Sequence, residues 1–197
     1  VSVANGPWRA AFPPPDPPTG NGVLYVGGLG PLRGLGLMRD AFPLVDPPDA
    51  RLVLAGPGDP GVLPPRVSAL GPVDHGRVPE LLAEAAVAWI PLQRHGNYDR
   101  AVPTKLVEAM AAGRPVVASD LGRMGALVRA TGCGVLVPPD DPDAHAAAIG
   151  RLLTDRDELA GRGAAGRRAF EDGLAFEHEA ARLVGFYAEV LESAAAR

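Results

Sequence analysis

Six short apolar runs, separated by segments long enough for a helix, constrain this chain more than any other feature. They occupy residues 23–27, 51–56, 67–70, 86–92, 115–119 and 134–137. The runs are continuously apolar rather than alternating, as in strands covered on both faces by helices. Helical patterns fill the intervals at about 35–45, 78–85 and 142–153, with a short one around Leu127-Val128. Two more, about 156–171 and 176–195, finish the chain. Strand–helix alternation of this kind predicts right-handed β-α-β units. The predicted fold is α/β, a Rossmann-like parallel sheet of about six strands with helices on both faces. Residues 1–20 are too proline-dense for a helix or a central strand and predict an extended strap. Residues 21–197 then form a single domain.

Composition narrows the function classes. A net charge of −4 argues against a broad nucleic-acid surface, which needs a basic face. No apolar run reaches the length of a membrane span, and the start lacks a signal-peptide pattern. One cysteine, Cys133, excludes an internal disulfide framework and suits a reducing compartment, so the expected location is the cytoplasm. Cys133 itself reads as a small buried residue opening a strand. His75 and His95 read as ordinary loop residues, and His145 and His178 as solvated helix residues. No Ser/His/Asp arrangement and no metal-ligand spacing is present.

The sharpest local signal is Pro103-Thr104-Lys105-Leu106-Val107-Glu108-Ala109-Met110-Ala111-Ala112-Gly113-Arg114-Pro115. Pro103 suits a first helical position, Gly113 a left-handed C-terminal turn, and Pro115 blocks continuation. Leu106, Ala109, Met110 and Gly113 recur at core spacing. Lys105 and Glu108 share another face, about 4.5 Å apart along the axis. Lys105 is the only lysine of the chain and sits in the first turn, where the helix dipole disfavours a cation. A ligand phosphate on the free amides near Val102 to Lys105 would satisfy both the dipole and the ammonium. A plain surface Lys–Glu pair is the alternative.

In parallel sheets, ligands bind beyond the carboxyl ends of the strands, where the strand order reverses. The loops after strands one, three and four bring Arg33, Val73, and Lys105 with Glu108 toward one crevice. Two cations, a helix N-terminus and one carboxylate suit a nucleoside diphosphate. Arg33 offers a planar fork for phosphate, Lys105 a point charge, and Glu108 an acceptor for ribose hydroxyls. Gly27, Gly28, Gly30 and Gly34 let the loop backbone approach a ligand closely. The loop is not a dinucleotide fingerprint, because Arg33 holds the third glycine position, and no Gly-Lys-Ser/Thr phosphate loop occurs.

These segments, with Tyr25-Val26-Gly27-Gly28-Leu29 and the Gly132-Cys133-Gly134-Val135-Leu136-Val137-Pro138-Pro139-Asp140-Asp141-Pro142 run, resemble the carboxy-terminal half of retaining GT-B glycosyltransferases of the group 1 family. Val3-Ala4-Asn5-Gly6 is similar to the segment where such enzymes enter this domain. Residues 176–191 resemble the closing helix that packs back toward the partner domain. The resemblance implies one half of a GT-B fold and a nucleotide-sugar donor as substrate, with no cofactor and no required metal. It implies that Arg33 and Lys105 stabilise the leaving diphosphate. Gly28, Val73, Pro103, Thr104, Lys105, Leu106 and Glu108 would bind the donor, Glu108 at the ribose and Val73 beside the base. Transfer with retention, and an acceptor held mainly by an absent amino-terminal half, follow from the same resemblance. So does inactivity of this segment alone. A nucleotide-sugar epimerase of the same architecture and a non-catalytic nucleotide-sugar-binding module are the alternatives.

Two departures from the family pattern stand out. Arg100 occupies the position, eight residues before Glu108, where many relatives carry a second glutamate. Gly28 stands where many carry an arginine. Phosphate binding is therefore expected to rest on Arg33 and Lys105.

Overall fold

The computed structural model describes residues 4–195. Val3, which opens the segment expected to enter the domain, lies outside them. Six strands form one sheet: β1 (Gly22–Val26), β2 (Arg51–Ala55), β3 (Val67–Gly71), β4 (Val87–Ile90), β5 (Val116–Ser119) and β6 (Gly134–Val137). All neighbours pair in parallel, in the order β3-β2-β1-β4-β5-β6. The order reverses between β1 and β4, and the crevice that the topology opens lies at their carboxyl ends.

Each central strand feeds two cores. Leu24, Ala88, Ile90, Val116 and Ala118 face one cluster, built with α2 (Val78–Glu84), α4 (Thr104–Ala111) and α5 (Gly122–Thr131). Val23, Tyr25, Leu52, Leu54, Trp89 and Val117 face the other, with α1 (Leu35–Ala41), α6 (Pro142–Thr154) and the start of α7 (Arg156–Ala169). The continuous apolar runs thus reflect burial on both faces. The edge strands are less covered: β3 has no fully buried residue, and β6 buries only its two ends. At about 25 cal/mol per Å² of apolar surface removed from water, each fully buried Val, Leu or Ile of the central strands contributes roughly 1.5–3 kcal/mol.

The boundaries differ from the sequence expectation in a few places. The first helix ends at Ala41, and Pro43, which has no amide to donate, sits in the 3-10 turn Phe42–Leu44. The loop before the lysine helix carries a short helix of its own, α3 (Gly96–Arg100), started by the His95 imidazole accepting from the Asn97 amide. The helix expected around Leu127 runs a full ten residues. The last helix, α8 (Phe176–Ala195), leaves Val184, Tyr187, Val190 and Leu191 exposed.

Residues 7–15 strap the sheet's helical layer to α7 and α8. The Phe176 amide donates to the Pro7 carbonyl at 3.0 Å, and Trp8 meets Phe176 edge-on at 4.8 Å between centroids. Arg167 donates to the Phe12 carbonyl at 3.0 Å.

His145 corrects the sequence reading. It is fully buried, not solvated, because it stands at helical spacing from Ile149 and Leu152 on the stripe of α6 that faces the sheet. Its Nδ1 accepts from Trp89 Nε1 at 2.9 Å, so the ring is neutral. Burial pushes its pKa from 6.5 down to about 4, against smaller opposing effects of the Pro138 carbonyl and Asp141. Between those values the unfolded chain binds a proton that the folded chain does not. Stability is therefore lost as pH falls through this window and is complete above it. Denaturant melts at about pH 7.5 and about pH 5 should show the wild type losing about 2 kcal/mol more than His145→Gln on acidification. Equal losses in both proteins would contradict the account.

Candidate functional site: the crevice between β1 and β4

The crevice is built around the start of α4. Pro103 is extended and caps the helix, so Thr104 rather than Pro103 is its first helical residue. Leu106, Val107, Ala109 and Met110 bury one side of the helix in the core, and Gly113 takes the expected left-handed turn. The first-turn amides have no partner within a helix. That of Leu106 turns back to the Pro103 carbonyl at 3.0 Å, which leaves Thr104 and Lys105 at the mouth.

The other face of α4 is not solvated. Glu108 is 4% exposed, and the Lys105 ammonium is buried with no hydrogen-bond partner among the described residues. Lys105 Nζ lies 4.2 Å from the Tyr25 ring centroid. It also lies against Gly27, where a Cβ would come within 2.5 Å of it. Gly27 therefore has a steric duty as well as a backbone one, since its φ is +137°.

These surroundings set the charges. Burial, joined by the nearby Arg33 charge and opposed by Glu108, lowers the Lys105 pKa from 10.5 to about 7. Burial raises the Glu108 carboxyl, against the pull of His75 and Lys105. His75 Nε2 stands 3.4 Å from Glu108 Oε1. Arg33 closes a 3-10 turn, Pro31–Arg33, after β1, and its guanidinium lies 5.3 Å from the Tyr98 ring centroid. Burial also raises the Tyr25 phenol, which donates to the Gly28 carbonyl at 2.7 Å.

One cavity of about 560 Å³ joins these groups, a size within the usual range for small-ligand sites. Arg33, Pro103, Thr104, Lys105 and Glu108 all line it. Three other candidates stand outside its wall. Leu106 is wholly in the core, Val73 packs against that core, and Gly28 is held at the loop edge by Tyr25. The wall also holds Gly27, one of the loop glycines expected near a ligand, and His75 and Tyr98, which sequence reasoning did not assign to the site. His75 had a signal, since it lies two residues beyond Val73 in a loop that the topology singles out. Tyr98 had none, because its contact with Arg33 depends on α3. Among the described residues, no three His, Cys, Asp or Glu side chains gather as a metal site, and no helix is long and apolar enough to cross a membrane.

The family model for Glycosyl transferases group 1 matches residues 20–155, more than half of the chain. The chain is 36% identical over 143 residues to a phosphatidyl-myo-inositol mannosyltransferase of Mycobacterium tuberculosis, covering 68% of this chain and 37% of that protein. The fold superposes on sucrose-phosphate synthase from Thermosynechococcus elongatus with a TM-score of 0.79 and 26% identity, over 95% of this chain and 52% of that one. It also superposes on Anabaena HepE, solved with UDP and glucose, with a TM-score of 0.72 and 23% identity, over 88% and 48%. The chain thus spans about half or less of the length of these proteins. A parallel sheet in this order, with the lysine helix beyond its reversal point and this match, identifies the chain as a member of the group 1 glycosyl transferase family.

Proposed function

We propose that this chain is the donor-binding half of a glycosyltransferase. It binds a nucleoside diphosphate sugar in the crevice between β1 and β4. The sugar passes with retention to an acceptor held mainly by another domain. The single observation that carries the reading is the Lys105 ammonium, buried at the mouth of a helix N-terminus without an acceptor among the described residues. A diphosphate supplies the missing counter-charge to both. Arg33, on the opposite lip, adds a second cation, and Glu108 accepts from the ribose hydroxyls at the inner end.

The chemistry follows from where charge develops. When the bond between the sugar carbon and the diphosphate oxygen breaks, negative charge grows on the departing phosphate. Lys105, Arg33 and the amides of Thr104 and Lys105 are oriented in advance toward that charge, so they stabilise the transition state more than the ground state. The acceptor hydroxyl that replaces the diphosphate on the sugar carbon gives its proton to the departing phosphate or to a base outside this chain. With the acceptor held by another domain, the segment alone binds nucleotide and does not transfer the sugar. The relatedness to a named mannosyltransferase supports the transferase reading, and the buried free thiol of Cys133 suits a cytoplasmic setting.

Titration calorimetry with UDP, GDP and their sugars tests the proposal, and no measurable binding by the folded chain would end it. Lys105→Ala should weaken binding about 10–100-fold, in line with about 1.5–3 kcal/mol for a hydrogen bond to a charged group. Glu108→Ala should weaken it about tenfold or less. Unchanged affinity in both variants would place the site elsewhere.

A second test uses protons. Free Lys105 titrates near 7, facing Arg33, Glu108 and the Tyr25 phenol, and a bound diphosphate holds it protonated. Binding above pH 7 must then take up a proton, and affinity should fall as pH rises. In the range of about pH 8–9 the nucleotide phosphates are already ionised, their last pKa being about 6. Calorimetry there in buffers of different ionisation enthalpy should report uptake approaching one proton, absent in Lys105→Ala. Uptake that persists in the variant would contradict the assignment to Lys105.

A further inference from the structure

A second cavity, of about 490 Å³, adjoins the nucleotide crevice and shares Asn5, Ala101 and Val102 with it. Two arginines from separate elements stand on its wall: Arg100, the last residue of α3, and Arg123, in the first turn of α5. Their approach is built into the packing. Gly122 has a φ of +28°, and a Cβ there would collide with the Asp99 carbonyl, so the end of α3 rests directly on the start of α5.

Many arginines of the chain are committed: Arg66, Arg162 and Arg167 each donate to backbone carbonyls. Among the described residues the exposed Arg94 and Arg168 also have no partner; Arg100 and Arg123 differ from them in lining one cavity together. Among the described residues, Arg100 and Arg123 have no carboxylate within 4.0 Å and no hydrogen-bond acceptor. Asp99 precedes Arg100 without pairing with it, and the first turn of α5 carries no acidic residue. The one carboxylate lining the cavity, Glu179, is taken up by the Ala4 amide at 3.1 Å and by Arg182 at 3.0 Å. Two guanidinium forks therefore face the space with their donors free.

We propose that this cavity is an anion subsite. It takes a carboxylate or phosphate group borne by the glycosyl donor or by the acceptor. Planar guanidinium groups pair with both anions through two parallel N–H bonds. Two guanidinium groups on one cavity wall, neither paired with a carboxylate, favour such an anion there. The proposal rests on reading the adjoining crevice as the diphosphate site, because the shared Ala101-Val102 wall lets one bound assembly reach both cavities.

The test uses the full chain. In the donor arm, calorimetry compares UDP-glucuronate with UDP-glucose and GDP-mannuronate with GDP-mannose. In the acceptor arm, inorganic phosphate is titrated into nucleotide-saturated chain while the arginine Nε–Hε resonances are followed, with chloride as the ionic-strength control. The expected result is tighter binding of a charged sugar by about tenfold, about 1.4 kcal/mol, or phosphate-specific shifts at Arg100 and Arg123. Either effect should vanish in Arg100→Gln/Arg123→Gln while affinity for UDP or GDP alone stays within about twofold. Both side chains are exposed, so this variant should fold. Charged and neutral sugars binding alike, with neither arginine moved by phosphate, would overturn the subsite. So would effects that survive in the double variant. If neither UDP nor GDP binds at all, the donor reading fails, and phosphate titration of the nucleotide-free chain still decides the subsite.

Discussion

The crevice depends on one uncompensated charge. Taking an ammonium out of water is costly unless a counter-charge or strong acceptor replaces its hydration. Lys105 receives only partial compensation: the face of the Tyr25 ring, and Glu108 on the next turn of its helix. Its lowered pKa reflects that deficit. An anion entering the cavity removes it, and the same anion satisfies the first-turn amides of α4. On the proposed reading a bound diphosphate makes up this deficit, so that binding energy is directed at a particular group.

The rest of the domain holds that charge in place. The strand order reverses between β1 and β4, so two loops from distant parts of the chain open toward each other. One brings Arg33 on a short turn after β1, and the other brings α4 after β4. Tyr25 and Gly27, at the end of β1 and just past it, form the surface on which the Lys105 side chain lies. A side chain at Gly27 would push Nζ off the ring. Glu108 is held from the far side by His75, so the loop after β3 joins the same network.

Much of this was legible in the residues. The continuous apolar runs marked strands buried on two faces, and a parallel sheet with a reversal point followed from them. A lone lysine in a first turn drew attention to the start of α4, which the structure places at the crevice between β1 and β4. What stayed hidden had physical reasons. The periodicity of α6 placed His145 on a buried stripe, but its polar label concealed the hydrogen bond from Trp89, fifty-six positions away. The contact of Tyr98 with Arg33 depends on α3, five residues that a polar loop composition does not reveal. Leu106 was placed with its neighbours in the binding set, yet helical geometry turns it into the core and its amide back onto Pro103. Arg100 stood out in sequence only as a departure from the family pattern; that it shares a cavity with Arg123 could not be read, because nothing in sequence shows that α3 rests on Gly122.

Because Lys105 is the only lysine, its ammonium can be observed without ambiguity. Selective labelling of the lysine side chain and an NMR titration measure its pKa directly, free and saturated with UDP or GDP. The account predicts a value of about 7 in the free chain and a marked rise on nucleotide binding. A free value near the ordinary 10.5, unmoved by saturating nucleotide, would contradict it.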